Sequence, residues 1–597
     1  MKKILIALMV LTLGSCTQWL DVNTNPDTPN NQSATVALRL PWIQYYYSYA
    51  WGTASVRSAY ICGTITSNST TSANGLLAAW NPAQSSATTP YQNWFVGAAC
   101  NIPDLITRAT AEQAWDYVGA AYVIRAMGYM MMVDWYGEMP YTDGLSTAIT
   151  PAFDDGKTIF NGCLSDLDKA LTFFNQAQPA TATSFAAGDS WNGGDVSKWI
   201  KLVHGLKARW LLNLSKKTTL FNPDQILTEL ASAPQSVTES TVINNVNDPT
   251  ETSKNITTTD PYKTCVIFDV AGMSDGARIT KWYMDLLTNT FTGGSAVVDP
   301  RTYWLVPSAQ FTIGGVKTLV PTKPVDAITT SNNVRLNGGP VLSIYTPATK
   351  LWSNTSTVAA RKGDTAFVSM KALYAGSGAT SSESTWQATD ATVLSTGTFY
   401  TRPESPTHIL GYPEMCFIKA EVLFRKSDLP GALAAYQAGI RAHIALMNVA
   451  LATYTTSASL NPYKKPITQA AIDAFMASNA VAQTPAQLTM AKIMQQKFIA
   501  LSFTQQNWND MRRFNYSAGN IGSYGVVYPD YDRPGEFGAA AGTKMTGTAK
   551  TDPTYWFRRI QQPTAETQYN STNVMLSNSH ALDLSIWSMP VWWDTAE

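Results

Sequence analysis

Charged side chains are scarce in this sequence. They make up 14% of 597 residues, and 42 basic residues balance 42 acidic ones, whereas an average soluble domain carries about 25%. Nucleic-acid binding depends on a basic patch or stripe, and the sequence has no basic block, which argues against that class. The surface must therefore be covered mainly by uncharged polar side chains. Together with 19 tryptophans, such a surface suits uncharged ligands such as sugars.

Histidine and cysteine are also few. The four histidines are scattered and the six cysteines show no CxxC spacing, so neither a zinc site nor a redox motif is indicated. We expect no metal and no cofactor. Cys100, Cys163 and Cys416 lie in apolar, helical-looking contexts and are interpreted as buried thiols. The formation of one disulfide among the cysteines is the alternative, and the sequence does not indicate which two would pair.

After the N-terminal segment, no run in the sequence is long and apolar enough to span a bilayer. Lys2 and Lys3 precede the apolar residues 4–11, and Leu-Gly-Ser-Cys at residues 13–16 matches the lipobox of bacterial lipoproteins. This order is typical of a secretory leader. We expect a signal peptide at residues 1–15, acylation of Cys16 and a linker at residues 16–35. The alternative is an ordinary cleaved signal with a chance cysteine.

The remainder is dominated by helical periodicity. Residues 111–141, AEQAWDYVGAAYVIRAMGYMMMVDWYGEMPY, are apolar nearly all round and end at Gly137 and Pro140. Such a helix is buried among other helices, and small residues such as Gly119 and Gly128 allow those neighbours to approach closely. We name it the spine helix and expect its Met and aromatic residues to form core.

Further helices are predicted at residues 160–177, 198–217, 468–478 and 485–503. The first of these is amphipathic, with Asp166, Asp168 and Lys169 expected on its solvated face. Residues 417–444 fit a tetratricopeptide unit, with Ala420 and Phe424 on the first helix and Ala432, Tyr436 and Gly439 on the second. Helical hairpins of this kind stack into solenoids. The sequence predicts a mainly α fold: one domain at residues 36–597, with a loop-rich, strand-poor insertion at about residues 237–401.

These landmarks, in this order, resemble the SusD/RagB family of nutrient-binding outer-membrane lipoproteins, in its SusD-like branch. The matching segments are Cys16 with DVNTNPD, DWYGEMPYTDG (134–144), GGDVSKWIKLVHGLKARWLLNLS (193–215), DPRTYW (299–304), YPEMCFIKAEVLFR (412–425), NWNDMRRF (507–514) and VWWD (591–594). The resemblance implies a tetratricopeptide-like scaffold with a loop-rich binding face. It also implies a SusC-like TonB-dependent transporter as partner. The lipoprotein would face the cell exterior and act as a lid over that transporter.

The candidate binding residues are loop aromatics. Sugar rings stack on flat aromatic faces, so tryptophans outside helical stripes and near Asn, Ser or Thr are of most interest; they are Trp80 with Asn81, Trp304, Trp352 and Trp386. We expect the ligand site on loops at residues 64–82 and 299–386. An oligomeric glycan is favoured, an oligopeptide is the alternative ligand, and a purely structural surface protein is a third possibility.

One catalytic pattern competes with a binding role. Residues 272–276, GMSDG, fit the G-x-S-x-G motif of serine hydrolases between a strand-like and a helix-like run. The chain around it lacks the alternating strands and helices that such a site requires. We therefore interpret Ser274 as the N-cap of the next helix. The pair Arg512-Arg513 is open to anion binding, but a salt bridge or the helix dipole is the expected role.

Overall fold

The computed structural model describes residues 34–67, 72–245, 277–288, 295, 297–305, 308–313, 316–321, 342–346, 351–355, 366–367, 394–395, 399–400, 405–453, 466–517, 519–531 and 556–596. Within these ranges helices predominate, which confirms the mainly α fold. The α-helices are α1 Val36–Ile61, α2 Ala73–Ala78, α3 Thr88–Gln92, α4 Ile102–Ala111, α5 Trp115–Tyr136, α6 Gly156–Phe174, α7 Val196–Asn213, α8 Pro223–Ser232, α9 Lys281–Leu287, α10 Thr302–Leu305, α11 Tyr412–Arg425, α12 Leu429–Thr453, α13 Gln469–Met476, α14 Met490–Ala500, α15 Gln506–Arg513, α16 Thr564–Tyr569 and α17 Ser571–Ser577.

The spine helix is α5. It is buried along almost its whole length, as its all-round apolar sequence predicts, and it ends at Gly137, whose φ of 84° suits glycine. A Cβ atom at Gly128 would lie 2.1 Å from the Trp94 ring, and one at Gly119 would lie 2.7 Å from Phe174. The small residues therefore do allow neighbouring elements to pack against the spine backbone.

Helix α6 covers the spine most closely, and α4, α1 and α7 contact it as well. Helix α6 packs along it and starts at Asp155, whose side chain accepts a hydrogen bond from the Thr158 N–H. Helix α7 is capped in the same way by Asp195. One detail of the predicted amphipathic face is wrong: Asp166 of α6 is buried rather than solvated, because it is paired with Lys169 at 3.2 Å and Arg125 at 3.5 Å.

The predicted tetratricopeptide unit is the hairpin of α11 and α12. Its turn contains Ser427 with φ of 64°, and Ala420, Ala432 and Tyr436 are fully buried. A Cβ atom at Gly439 would lie 2.8 Å from the Phe417 ring. The two helices thus cross at the small residue that the repeat pattern places there.

The strands are short, as predicted for the loop-rich part. Those described are β1 Ile65–Ser67, β2 Thr241–Ile243, β3 Ala277–Ile279, β4 Ser308–Ile313, β5 Val316–Pro321, β6 Leu342–Thr346, β7 Leu351–Thr355, β8 Ala366–Phe367, β9 Leu394–Ser395 and β10 Thr407–Leu410. They form separate antiparallel sheets, ordered β1-β3, β10-β2, β5-β4-β9 and β7-β6-β8.

No helix in the described ranges is both long and apolar enough to cross a bilayer. The leader and Cys16 lie outside the described residues, and so does much of the predicted insertion.

Candidate functional site

A small sheet joins the first predicted loop region, 64–82, to the chain segment that precedes the second region, 299–386. Strand β1 pairs with β3, from Ile65 opposite Ile279 to Ser67 opposite Ala277. The next residue, Thr280, donates its hydroxyl to the Gly63 carbonyl. The chain then follows α9 and reaches Asp299, whose N–H donates to the Leu287 carbonyl at 3.3 Å. The start of the 299–386 region is therefore tied to the 64–82 region through α9.

The same segment corrects the interpretation of Ser274. That serine lies outside the described residues, but the helix that follows it, α9, begins only at Lys281. Its N-cap is Thr280, whose side-chain oxygen accepts a hydrogen bond from the Tyr283 N–H at 3.1 Å. The prediction that Ser274 caps this helix is wrong, because a short strand, β3, intervenes.

Arg301 anchors the DPRTYW segment to the helical scaffold. Its guanidinium is fully buried and forms an ion pair with Asp299 at 2.6 Å. It also donates to the Gln496 amide oxygen on α14 and to Nδ1 of His443 on α12, the latter at 3.0 Å. One side chain thus connects the loop to two helices.

His443 is held in its neutral form. Burial and the neighbouring Arg301 charge lower its pKa well below the usual value. Since Nδ1 accepts from Arg301, the ring proton belongs on Nε2. His408 is half-buried by accessible surface, and loss of solvation lowers its pKa to about 4. These histidines serve the fold as uncharged polar groups.

Trp304 follows Arg301 closely in the chain. It lies on α10, three residues after Arg301, and its side chain is half-buried against the core. Its carbonyl accepts a hydrogen bond from the Phe399 N–H. A partly exposed ring on a fixed backbone is the geometry that stacking requires, so the structure leaves Trp304 as a candidate contact.

Trp80 requires a correction. Its ring has no exposed area, its indole N–H donates to the Ile61 carbonyl at 2.9 Å, and it packs edge-on against Tyr516 at 4.9 Å. A ring without an exposed face offers no surface to a sugar, so Trp80 is a core residue in this structure. Asn81 beside it is half-buried and stays a candidate.

The two remaining candidate tryptophans are Trp352 and Trp386. Trp352 lies on β7, paired with Tyr345 of β6, and nothing is described of its side chain. Trp386 lies outside the described residues. Both stay predictions.

Tyr531 is a candidate that the sequence analysis did not single out. It is half-buried and covers the Gly63 turn, where a Cβ atom would lie 3.3 Å from its ring. Its hydroxyl donates to the Ile61 carbonyl at 3.1 Å, and Trp282 packs edge-on against it at 5.0 Å. The available signal was the aromatic, proline-containing run YPDYDRP at residues 528–534.

The basic pair does not form an anion site. Arg513 is fully buried and bonds Glu421 with both terminal nitrogens, at 2.7 and 2.8 Å. Arg512 donates to the carbonyls of Asp134 and Arg558, each at 2.7 Å. The expected salt bridge is confirmed for Arg513, while Arg512 secures main-chain groups instead.

The small cavity beside Asp134 and Arg209 lies within the helical core and has room for about one water molecule. It is too small for a sugar ring. Among the described residues, no cluster of His, Cys, Asp or Glu could hold a metal ion.

The thiols partly follow expectation. Cys163 and Cys416 are buried and unpaired, as is Cys62, but Cys100 is exposed, contrary to prediction. Cys100 lies in a short 3-10 turn, Ala99–Asn101, of which only Ala99 is buried.

Comparison with known proteins gives one family. A sequence model of the SusD-like proteins, described as starch-binding and associating with the outer membrane, matches residues 33–306 and 354–521. No curated protein sequence matches the chain.

Solved structures share the fold at low identity. A Bacteroidetes SusD-like protein is 16% identical with a TM-score of 0.61, covering 93% of this chain and 98% of that one. A chitin-binding protein is 17% identical (TM-score 0.58; 94% and 100% covered). A SusD homologue from Bacteroides fragilis is 18% identical (TM-score 0.57; 94% and 100% covered). The likeness to these structures concerns the fold.

Proposed function

The chain belongs to the SusD-like family, and from this we propose that it is a lipid-anchored outer-membrane protein that binds an oligomeric glycan and delivers it to a SusC-like TonB-dependent transporter. The family match over most of the chain is the observation that carries the proposal. The scaffold supports it, because stacked helices hold a loop-rich face on which partly exposed aromatic rings can be presented.

A glycan is favoured over a peptide on two grounds. The family description names starch, and one protein of the same fold binds chitin. The candidate residues Trp304 and Tyr531 are both half-buried aromatic side chains, and aromatic faces suit sugar rings. An oligopeptide is the second candidate ligand, since backbone recognition leaves little trace in sequence. We propose no catalytic step, and turnover of any bound substrate would contradict this.

The ligand class is tested by calorimetry with a panel of starch and chitin oligosaccharides and unrelated oligopeptides. Saturable binding of an oligosaccharide supports the proposal, and binding of peptides alone replaces it with the second candidate. Co-purification of the protein with a TonB-dependent barrel from detergent-solubilised membranes tests the transporter partner.

Trp304→Ala is expected to weaken glycan binding about two- to tenfold, because one stacked ring contributes roughly 0.5–1.5 kcal/mol beyond area burial. Trp304→Phe, which keeps a ring, should lose less. Calorimetric affinity and thermal melting are measured on the same samples. Trp80→Ala serves as the contrast, since it should lose affinity only by losing stability. Full affinity in Trp304→Ala, and in Trp352→Ala and Trp386→Ala, would place the site elsewhere.

Cys16→Ala is expected to abolish incorporation of radiolabelled palmitate and to remove the protein from the outer-membrane fraction, because the acyl chains are the proposed anchor. Ser15→Ala keeps a small residue before the cysteine and should preserve both. Label incorporation is read by autoradiography of the immunoprecipitated protein. Continued acylation of Cys16→Ala would disprove the assignment.

A further inference from the structure

Three large apolar side chains are exposed on two neighbouring elements at the start of the fold. The exposed fractions are 54% for Leu38, 42% for Trp42 and 68% for Val96. Leu38 and Trp42 are four residues apart on α1 and so share a face. Val96 belongs to the π-helical turn Asn93–Ala98, which packs against α1. We call these three residues the N-terminal patch.

Moving the N-terminal patch from water to an apolar environment desolvates few polar groups. The indole N–H of Trp42 donates to the Gly97 carbonyl at 3.0 Å, so its only donor is satisfied inside the protein. The neighbouring Arg39 is turned inward, 7% exposed, and paired with Asp104 at 2.7 Å. Transfer of the Trp42 ring to an apolar environment therefore leaves no unsatisfied donor on its indole.

The Trp42 ring is also fixed in place. It packs against Tyr46 at 5.0 Å between ring centroids. Tyr46 in turn lies on Gly97, where an added Cβ atom would come within 2.3 Å of its ring. The patch is thus part of a rigid face, and its exposure does not depend on a mobile side chain.

The position of the N-terminal patch in the chain favours the lipid bilayer as its partner. Helix α1 begins at Val36, 20 residues after Cys16 (36 − 16), which an extended chain could span in at most about 70 Å. A second exposed apolar group, Ile149 with Tyr569 and Leu576, lies much farther along the chain from that cysteine. Of the two, the N-terminal patch is the one directly tethered to the acylation site.

We propose that the N-terminal patch rests on the lipid bilayer that holds acylated Cys16, with Leu38, Trp42 and Val96 at the boundary between headgroups and acyl chains. This inference depends on the lipid anchor proposed above. Tryptophan favours that boundary, and an apolar contact beside an acyl anchor is a second attachment to the same membrane. The contact makes α1 the membrane-facing edge of the fold.

The test uses the full-length acylated protein in phosphatidylcholine vesicles whose acyl chains are brominated close to the headgroup. Bromine quenches indole fluorescence on contact. We expect quenching in the wild type and a decrease of at least about twofold in Trp42→Phe, which retains packing on Tyr46. Trp115→Phe, a half-buried tryptophan stacked on Phe173 at 5.9 Å, should be quenched as the wild type is.

A second variant leaves the reporter in place. Leu38→Asn/Val96→Asn should lower quenching while Trp42 is still present. Equal quenching in the wild type and Trp42→Phe overturns the proposal, as does a Trp42 signal that responds only to glycan or to a protein partner. Mass spectrometry of the same samples separates the two proposals: a missing acyl group refutes the anchor, whereas an acylated protein without Trp42 quenching refutes the patch alone.

Discussion

Replacing Arg301 with methionine is expected to lower the free energy of unfolding by about 3–5 kcal/mol, the usual cost of removing one partner from a buried ion pair. Asp299 is as fully buried as Arg301. Without the guanidinium, its carboxylate keeps the N–H of residue 301 at 2.9 Å but no opposite charge. The Gln496 and His443 acceptors would also be left without their donor.

The measurement is guanidinium unfolding followed by tryptophan fluorescence. The matched control is Asp299→Asn/Arg301→Met, which removes both charges and should lose less stability than Arg301→Met alone. If the double variant loses as much unfolding free energy as Asp299→Asn and Arg301→Met lose together, the two charges are not coupled. Because Trp304 follows this anchor on α10, glycan affinity measured below the melting range should also fall in Arg301→Met.

Asp134 is expected to make the unfolding free energy depend on pH between about 4 and 6. Burial raises its pKa from 3.8 to about 6, against the lowering effects of Arg512 and of the hydrogen bonds from Asn509 and Trp593. Its carboxylate accepts from the Trp593 indole at 2.9 Å and from the Asn509 amide at 2.7 Å. This acid therefore joins the spine helix to α15 and to the C-terminal segment.

The sign follows from proton linkage. The folded state binds the Asp134 proton more tightly than the unfolded state, so its contribution to stability is complete below about pH 4 and is lost as pH rises through 6. A shift of about two units corresponds to about 3 kcal/mol. The difference in unfolding free energy between wild type and Asp134→Asn, measured at pH 4 and pH 7.5, should change by that amount. A constant difference would mean that the carboxylate is not destabilised by burial.

The comparison with Asp134→Asn cancels other titrations. Tyr47, Arg209 and Arg512 also lie near the carboxylate, but they are present in both proteins. The asparagine keeps an acceptor for Trp593 and removes the charge. Its NH2 group also replaces the oxygen that accepts from Asn509, but this loss is the same at both pH values. The variant should therefore have a flatter stability profile over this pH range than the wild type.

Local chemistry was enough to predict the scaffold. The spine helix and the α11–α12 hairpin both follow from apolar periodicity and small residues within a few positions of one another. The same reasoning was wrong for Asp166, because its partner Arg125 comes from the spine helix. A buried acid cannot be told from a solvated one by its neighbours in sequence.

The tryptophans show where that reasoning ends. Trp80 follows the short helix α2 and Trp304 lies on the short helix α10, both in the predicted loop regions. One is fully buried and the other only half-buried. Trp80 is covered by Tyr516 and Phe557, more than 400 residues later in the chain.

The sequence by itself determined the helical class, the family resemblance and the close helix crossings, because these depend on residues near one another in the chain. Only the tertiary structure decided which aromatic rings face solvent and that Arg301 anchors Trp304. The physical reason is that burial is set by packing between distant segments.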